Sequence, residues 1–320
     1  MTGAGCRPPP DADHVLILAN PTAGRGAAGG RVASLVESLK RRGLHVESFC
    51  DLAEGCQRAN EIHGTGALRA LVGVGGDGTI AELVNRTDSG VPICVCAAGT
   101  SNLLARCLRL PAGTGPICEA IVHGRRLTID AASANGRVFL LMAGCGLDAH
   151  VVAEVHRRRH PTTAGRFSYW SYAKPIFHAI RSYQYPEIRV HWEDAVEGPC
   201  CNGVQDPLVV RWAFALNLPL YGWGLPLAYW TDPTDGLLDV CTFQYGSLWH
   251  GLRYAMAAQC RWHRRLADCR VVRAARVRIT AEQPVPYQLD GDPGGYLPLE
   301  IGVLPDRFTF LAPEGHCWRA

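Results

Sequence analysis

The chain has 320 residues, room for two domains of about 150 residues each, and its 48% apolar and 19% charged content excludes disorder, collagen and coiled coil. A net charge of +3 and a pI of 8.2 fall short of the ~9 of a dedicated nucleic-acid domain, so no nucleic-acid partner is expected. Lys40 and Lys174 are the only lysines, and neither lies in GxxxxGK[ST], which excludes a Walker-type phosphate loop.

Residues 1–13 carry Arg7, Pro8, Pro9, Pro10 and two aspartates but no apolar segment, and read as a disordered N-terminus, not a secretory leader. Fourteen cysteines without a CxxC spacing then read as reduced thiols in a cytoplasmic protein. From 14 to 126, short apolar runs alternate with helical patterns, which predicts a parallel α/β sheet. His14 to Ala19 is a strand. Val32, Leu35, Val36 and Leu39 recur at i, i+3, i+4, i+7 on one helix face, and Gly43 closes that helix. Leu44 to Phe49, Leu68 to Val74 and Val91 to Ala97 are further strands, with helices from Thr79 and Ser101. The loops at 20–26, 75–79 and 97–102 gather on one sheet edge, where open α/β sheets bind ligands.

After residue 127 the pattern changes. Strand-like runs at 127–131, 137–143, 187–192, 207–216, 237–243, 270–280 and 297–303 lack crossover helices. They predict a second, mainly antiparallel β domain over 127–304, and the sequence leaves open whether 305–320 returns to the first domain. Helical patterns at 148–158, 166–182 and 247–260 interrupt it. Trp212 to Thr231 runs 20 residues without a charge, yet Asn217, Pro219, Gly222, Gly224 and Pro226 would break a lipid-exposed helix, so this is buried strand and loop.

Three loops carry the chemistry. Asn20-Pro21-Thr22-Ala23-Gly24-Arg25-Gly26 runs into Gly29 as GxGxxG, the dinucleotide fingerprint. Gly73 to Gly78 matches the same pattern, and Asn-Pro-Thr-Ala makes a different turn, so a nicotinamide or flavin enzyme is disfavoured. Gly75-Gly76-Asp77-Gly78-Thr79 ends a strand and opens a helix. Its small residues let backbone N–H groups face an anion, while Asp77 offers a carboxylate to a metal or to the loop itself. Gly99-Thr100-Ser101-Asn102 repeats the arrangement as an N-cap or a phosphate contact. Together the loops suggest a phosphate cradle, with Arg25 as a candidate cation.

With these residues in view, the chain resembles the diacylglycerol kinase catalytic-domain family, which includes bacterial soluble lipid kinases and the sphingosine and ceramide kinases. The likeness runs through NPTAGRG at 20–26, GGDGTIAELVNR at 75–86, AAGTSNLLARCLRLP at 97–111, GCGLDA at 144–149, GWGLPLAYWTDPTDGLLDV at 222–240 and LDGDP at 289–293. It implies transfer of the γ-phosphoryl group of ATP, with Mg2+, to a lipid hydroxyl, diacylglycerol-like or sphingoid. The implied site is a cleft between a nucleotide domain and a β-sandwich lipid domain. NAD kinase, which shares the GGDGT logic, and a lipid- or nucleotide-binding protein without catalysis are the alternatives.

Carried over, Asn20, Pro21, Thr22, Ala23 and Gly24, then Gly76, Asp77, Gly78, Thr79, Ile80, Ala81 and Glu82, with Thr100, would line the nucleotide site. The family pattern makes Asp77 and Asp130 a water-bridged magnesium pair and Asp292 the base. It assigns Asp232, Asp235 and Leu237 to a separate structural Mg2+. Three residues depart from it. Asp292 replaces the usual Glu, Leu103 stands where the bacterial enzymes carry Asp, and Asp51 stands where a Thr often lies near the nucleotide.

Phe167, Tyr169, Trp170, Phe177, Trp212, Phe214 and Trp223 are core or acyl-pocket residues. Basic clusters at His156–His160 and Arg261–Arg265 are solvated faces or contacts to anionic lipid, worth roughly 1 kcal/mol per basic residue near a membrane. The expected partners are therefore a lipid substrate and a peripheral, transient membrane contact, and a homodimer is admitted.

Overall fold

The computed structural model describes residues 5–19, 27–157, 181–193, 207–222 and 224–316. The chain forms two compact units, Met1–Ala131 with Pro305–Ala320, and Ala132–Leu304, where the sequence places the division at 126/127.

In the first unit, strands β1 (His14–Ala19), β2 (His45–Phe49), β3 (Leu68–Gly75) and β4 (Ile93–Ala97) pair in parallel in the order β2-β1-β3-β4. Their near-continuous apolar runs suit strands covered on both faces. The helices are α1 (Ala27–Lys40), α2 (Leu52–Gly64), α3 (Asp77–Arg86), a short α4 (Leu103–Cys107) and α5 (Thr114–His123). On α1 the predicted stripe faces the sheet: Leu35 and Leu39 are fully buried, and Val32 and Val36 pack against the same core as Val72, Cys94 and Ile121. Helix α2 starts at Asp51, whose carboxylate accepts the N–H groups of Ala53 and Glu54 at 2.8 and 2.9 Å. That makes Asp51 an N-cap.

Two strands, β5 (Arg125–Ala134) and β16 (Leu299–Ala312), each contribute residues to both units. The end of β16 pairs in parallel with β4 at Phe310↔Ile93 and buries Phe308 and Phe310. The N-terminal segment expected to be disordered is placed from Gly5 onward: Cys6 bridges to Arg126, and Ala12 is fully buried. Local apolar content is low there, and the segment is held by backbone pairing instead.

The second unit is an antiparallel sandwich. One sheet runs β12-β11-β10-β7-β14-β15, built from β7 (Met142–Cys145), β10 (Trp212–Leu216), β11 (Leu238–Phe243), β12 (Cys269–Ala274), β14 (Pro286–Leu289) and β15 (Asp292–Tyr296). The facing layer joins the first residues of β16 to β13 (Arg276–Thr280), β8 (Ile188–Glu193) and β9 (Leu208–Val210), with β6 (Arg137–Phe139) paired to β5. Ala213, Ala215 and Val240 from one sheet meet Val190, Val277 and Ile301 from the other in a common core. Helices α6 (Leu147–Arg157) and α7 (Leu248–Gln259) decorate the sandwich.

Two predicted strands are each split. The run 207–216 changes sheets at Arg211, and the run 270–280 changes at Ala275. From 208 to 216 and from 270 to 280 no Gly or Pro interrupts the run, so no turn signal marks where the chain crosses between layers. A third difference is the hairpin of β14 and β15, where the sequence shows only a turn. Asp292-Pro293-Gly294-Gly295 resembles a loop, but β15 is an edge strand, and an edge tolerates Pro and Gly.

Among the described residues no helix is long and apolar enough to cross a membrane. The charge-free stretch from Trp212 forms β10 and a loop in which buried Asn217 donates its Nδ2 to Leu140 O at 2.8 Å.

The hairpin is tied to β7 by Asp290. Its carboxylate accepts the N–H groups of Leu140, Leu141 and Met142 at 2.7, 2.8 and 2.9 Å. Charge-assisted bonds of this kind are roughly twice as strong as neutral ones. Asp290→Ala is therefore expected to cost about 3 kcal/mol or more, read as a lower urea midpoint at unchanged slope, with Asp290→Asn losing less because one acceptor survives.

Candidate active site

The loops after β3 and β4 meet through backbone. A Cβ on Gly99 would lie 2.6 Å from Gly76 Cα, so only glycine lets the two turns approach this closely. The contact is locked by Asp77, whose Oδ2 accepts the N–H of Leu103 at 2.9 Å and whose Oδ1 accepts that of Leu104 at 3.0 Å. These are the first free donors of α4, so the cap comes from the neighbouring loop. The sequence instead places the cap within Gly99–Asn102. Asn102 is left-handed (φ 46°) and makes no cap bond. Its amide instead closes on Gly99, accepting from its N–H at 2.9 Å and donating to its carbonyl at 2.8 Å.

The other candidates in this unit have mixed placements. Ile80 and Ala81 are 1% and 6% exposed, so their side chains belong to the packing of α3 on β3. Gly76 and, in the first turn of α3, Gly78 are half-buried, Thr100 is exposed, and Thr79 is buried. Glu82 pairs with Arg86 at 3.2 Å. Asp130 is buried on β5 and accepts the N–H of Asp306 at 2.9 Å. Leu103, the departure noted in the sequence, is buried. Asn20 to Gly24, and Arg25, lie outside the described residues. A cation the sequence does not single out is Arg31 on α1, whose Nη1 donates to Ala97 O at 2.9 Å, at the carboxyl end of β4. Its signal was weak, since any exposed helix carries arginines.

In the second unit, Asp232 accepts from the N–H and hydroxyl of Thr234 at 3.2 and 2.7 Å, and Asp235 from the N–H of Leu237 at 2.9 Å. Arg273 is ion-paired to Asp235 and reaches Asp239 at 3.8 Å. Burial pushes both carboxyls up, and Arg273 opposes it. The chain thus supplies its own positive charge at the loop assigned by resemblance to a structural ion. Among the described residues no three metal-ligating side chains converge.

Asp290 and Gly291, at φ 52° and 90°, make the turn that presents Asp292 at the start of β15. Unlike Asp290, Asp292 has no hydrogen-bond partner among the described residues. Of the expected aromatics, Trp212 and Phe214 are buried, Phe214 packing edge-on against Tyr221 and Phe243. Phe167, Tyr169, Trp170, Phe177 and Trp223 lie outside the described residues, as do 158–160 of the first basic cluster.

The structure adds one carboxyl that the sequence reading passes over. Asp148, within GCGLDA, opens α6 against the same hairpin. A Cβ on Gly144 would meet its Oδ2 at 2.3 Å, so glycine there makes room for the carboxylate. Gln288 donates to Oδ2 at 3.4 Å, Tyr221 also bonds the group, and Oδ1 is buried without a partner. Burial raises its pKa from 3.8 to about 6.

The chain thus combines a parallel α/β unit, with glycine-lined turns after β3 and β4, and an antiparallel sandwich unit. Residues 14–134 match the diacylglycerol kinase catalytic domain, and 142–312 match the YegS C-terminal NAD kinase beta sandwich-like domain. The chain belongs to the diacylglycerol kinase catalytic-domain family of lipid kinases.

Among relatives, it is 24% identical to the diacylglycerol kinase of Bacillus subtilis over 305 residues, covering 93% of this chain and 96% of that one. It is 27% identical to the diacylglycerol kinase of Mycobacterium tuberculosis over 311 residues, with 94% and 95% covered. A crystal structure of a diacylglycerol kinase from Bacillus anthracis superposes with a TM-score of 0.66 at 18% identity, covering 96% and 98%. An NAD kinase from Archaeoglobus fulgidus solved with ATP reaches 0.50 at 13%, covering 95% and 94%. The superpositions establish the fold.

The folded chain holds the Asp148 proton up to about pH 6, while the unfolded chain releases it near 3.8. Stability from this group is therefore greatest at low pH and falls as pH rises through that window. Asp148→Asn is expected to raise stability at pH 8 by about 3 kcal/mol and to give little gain near pH 4, measured by thermal melts at the two pH values.

Proposed function

We propose that the protein transfers the γ-phosphoryl group of ATP, with Mg2+, to a hydroxyl of a diacylglycerol-like or sphingoid lipid held in a bilayer it contacts peripherally. The observation that carries the nucleotide end of this reading is the pair of glycine loops joined through Asp77. Phosphoryl transfer asks a protein mainly for positioning and charge neutralisation, which backbone donors held in one arrangement supply. Arg31, anchored at the strand end, is the candidate cation for the phosphates. Asp77 and Asp130 are the residues that would hold Mg2+. Each Asp77 oxygen already accepts a backbone N–H, which suits contact through water better than direct chelation. When bound, the ion neutralises charge on the phosphates.

Asp292 is the proposed general base, because its carboxylate is not committed to backbone donors. Asp148 is the second reading for that role. Its pKa of about 6 lies where a carboxylate takes up a proton readily near neutral pH. NAD as acceptor has the distant fold likeness behind it and nothing more specific.

Labelled ATP offered with a lipid panel and with NAD tests the reading: label is expected in lipid. Label in NAD favours the NAD kinase alternative, and nucleotide binding without transfer favours a protein without catalysis. Asp77→Asn is expected to reduce turnover at least ~10²-fold with the fold retained. Asp292→Asn is expected to remove most transfer while ATP affinity stays within about a few-fold, and Asp292→Glu to keep activity. Equal loss in both Asp292 variants would make it a turn residue. Loss in Asp148→Asn with Asp292→Asn active would move the base to Asp148.

A further inference from the structure

Residues 240–267 contain no aspartate or glutamate and four arginines, Arg253, Arg261, Arg264 and Arg265. Helix α7 lies within this stretch and is fixed to the sandwich by one side only. Tyr254 and Ala258, at i and i+4, are 4% and 1% exposed. The Tyr254 ring stacks on Phe243 at 4.3 Å, and its hydroxyl donates to Asp268 at 2.6 Å. The outward face of such a helix is ordinarily polar. Here it carries Trp249, Leu252 and Met256 at i, i+3 and i+7, exposed by 78%, 51% and 63%, with Trp262 at 63% just beyond the helix. Six of the nine large apolar side chains exposed among the described residues fall between Tyr245 and Trp262. That concentration marks a contiguous surface and not scattered exposure.

The charge beside it is equally one-sided. Arg253 is committed to Asp268 and the charge of Arg264 acts on Asp239, but no carboxylate among the described residues pairs with Arg261 or Arg265. The guanidinium of Arg261 lies over the Tyr229 ring at 5.3 Å and that of Arg264 over the Trp230 ring at 4.5 Å. Aromatic support holds both charges at the border of the apolar stripe.

We propose that α7 and the segment through Arg265 dock the protein on an anionic bilayer. The tryptophans, Leu252 and Met256 enter the headgroup boundary, and the unpaired arginines meet lipid phosphates. The choice of a bilayer rests on the lipid-kinase reading. Charge argues against a second copy of the chain, since a two-fold contact through this face would set the same arginines against one another.

The test is co-sedimentation with vesicles of phosphatidylcholine alone or with about one part in three phosphatidylglycerol. Wild type is compared with Trp249→Ser/Met256→Ser and with Arg261→Gln/Arg265→Gln. Wild type is expected to bind anionic vesicles at least ~10-fold more tightly than neutral ones, and each double variant to lose at least ~10-fold of that binding. All altered side chains are exposed, so melting temperatures are expected to match wild type. Turnover on a water-soluble short-chain diacylglycerol is expected to match as well.

Vesicle binding by wild type without phosphorylation of any lipid would leave docking standing and remove the kinase reading. Wild type indifferent to vesicles, or variants that bind as wild type does, would overturn docking. A dimer in solution that Trp249→Ser/Met256→Ser dissociates, without vesicle binding, would give the surface to a second copy and overturn it too.

Discussion

The carboxylate of Asp77 satisfies the first two free donors of a five-residue helix that begins in another loop. A helix this short contributes little stability of its own, and its open N-terminus would be costly away from water. By capping it from α3, Asp77 fixes the spacing between the turns after β3 and β4. Gly76 and Gly99 make that spacing as small as backbone permits. Every role assigned to the loops depends on this one interaction, because a phosphate cradle made of backbone is only as ordered as the turns that carry it.

The other acids follow the same economy of position. Asp290 holds three consecutive N–H groups, Asp130 holds one, Asp51 caps α2, and Asp235 pairs with Arg273. Each builds the frame. On or against the β14–β15 hairpin, the Asp292 carboxylate has no hydrogen-bond partner among the described residues, and Asp148 is held by Ala149, Gln288 and Tyr221 with Oδ1 unmatched among the described residues. The same separation holds on the surface of α7, where the face with Tyr254 builds the sandwich and the face with Trp249 does not.

Much of this was legible in the chain. The strands from His14, Leu68 and Val91 and the stripe Val32, Leu35, Val36, Leu39 follow from apolar runs and a helical period, which are local. The order of GGDGT, GTSN and LDGDP named the family, and the acid-free arginine segment at 261–265 was plain from composition. Asp77 was read as either a metal acid or a loop-fixing one, and sequence left that choice open. Asp148 was hidden in plain view, because nothing in GCGLDA tells a buried carboxyl from an exposed one.

By itself, then, the sequence determined the two-part architecture, the glycine turns after β3 and β4 and the lipid-kinase class. All of these are encoded in spacings of a few residues. Only the tertiary structure decided that the runs 207–216 and 270–280 change sheet at Arg211 and Ala275, that β14 and β15 form an edge hairpin, and which carboxylates are committed to distant N–H donors. The reason is physical. A hydrogen bond from Leu103 to Asp77 or from Leu140 to Asp290 joins residues far apart in the chain, and burial sets a pKa through neighbours that no local pattern records.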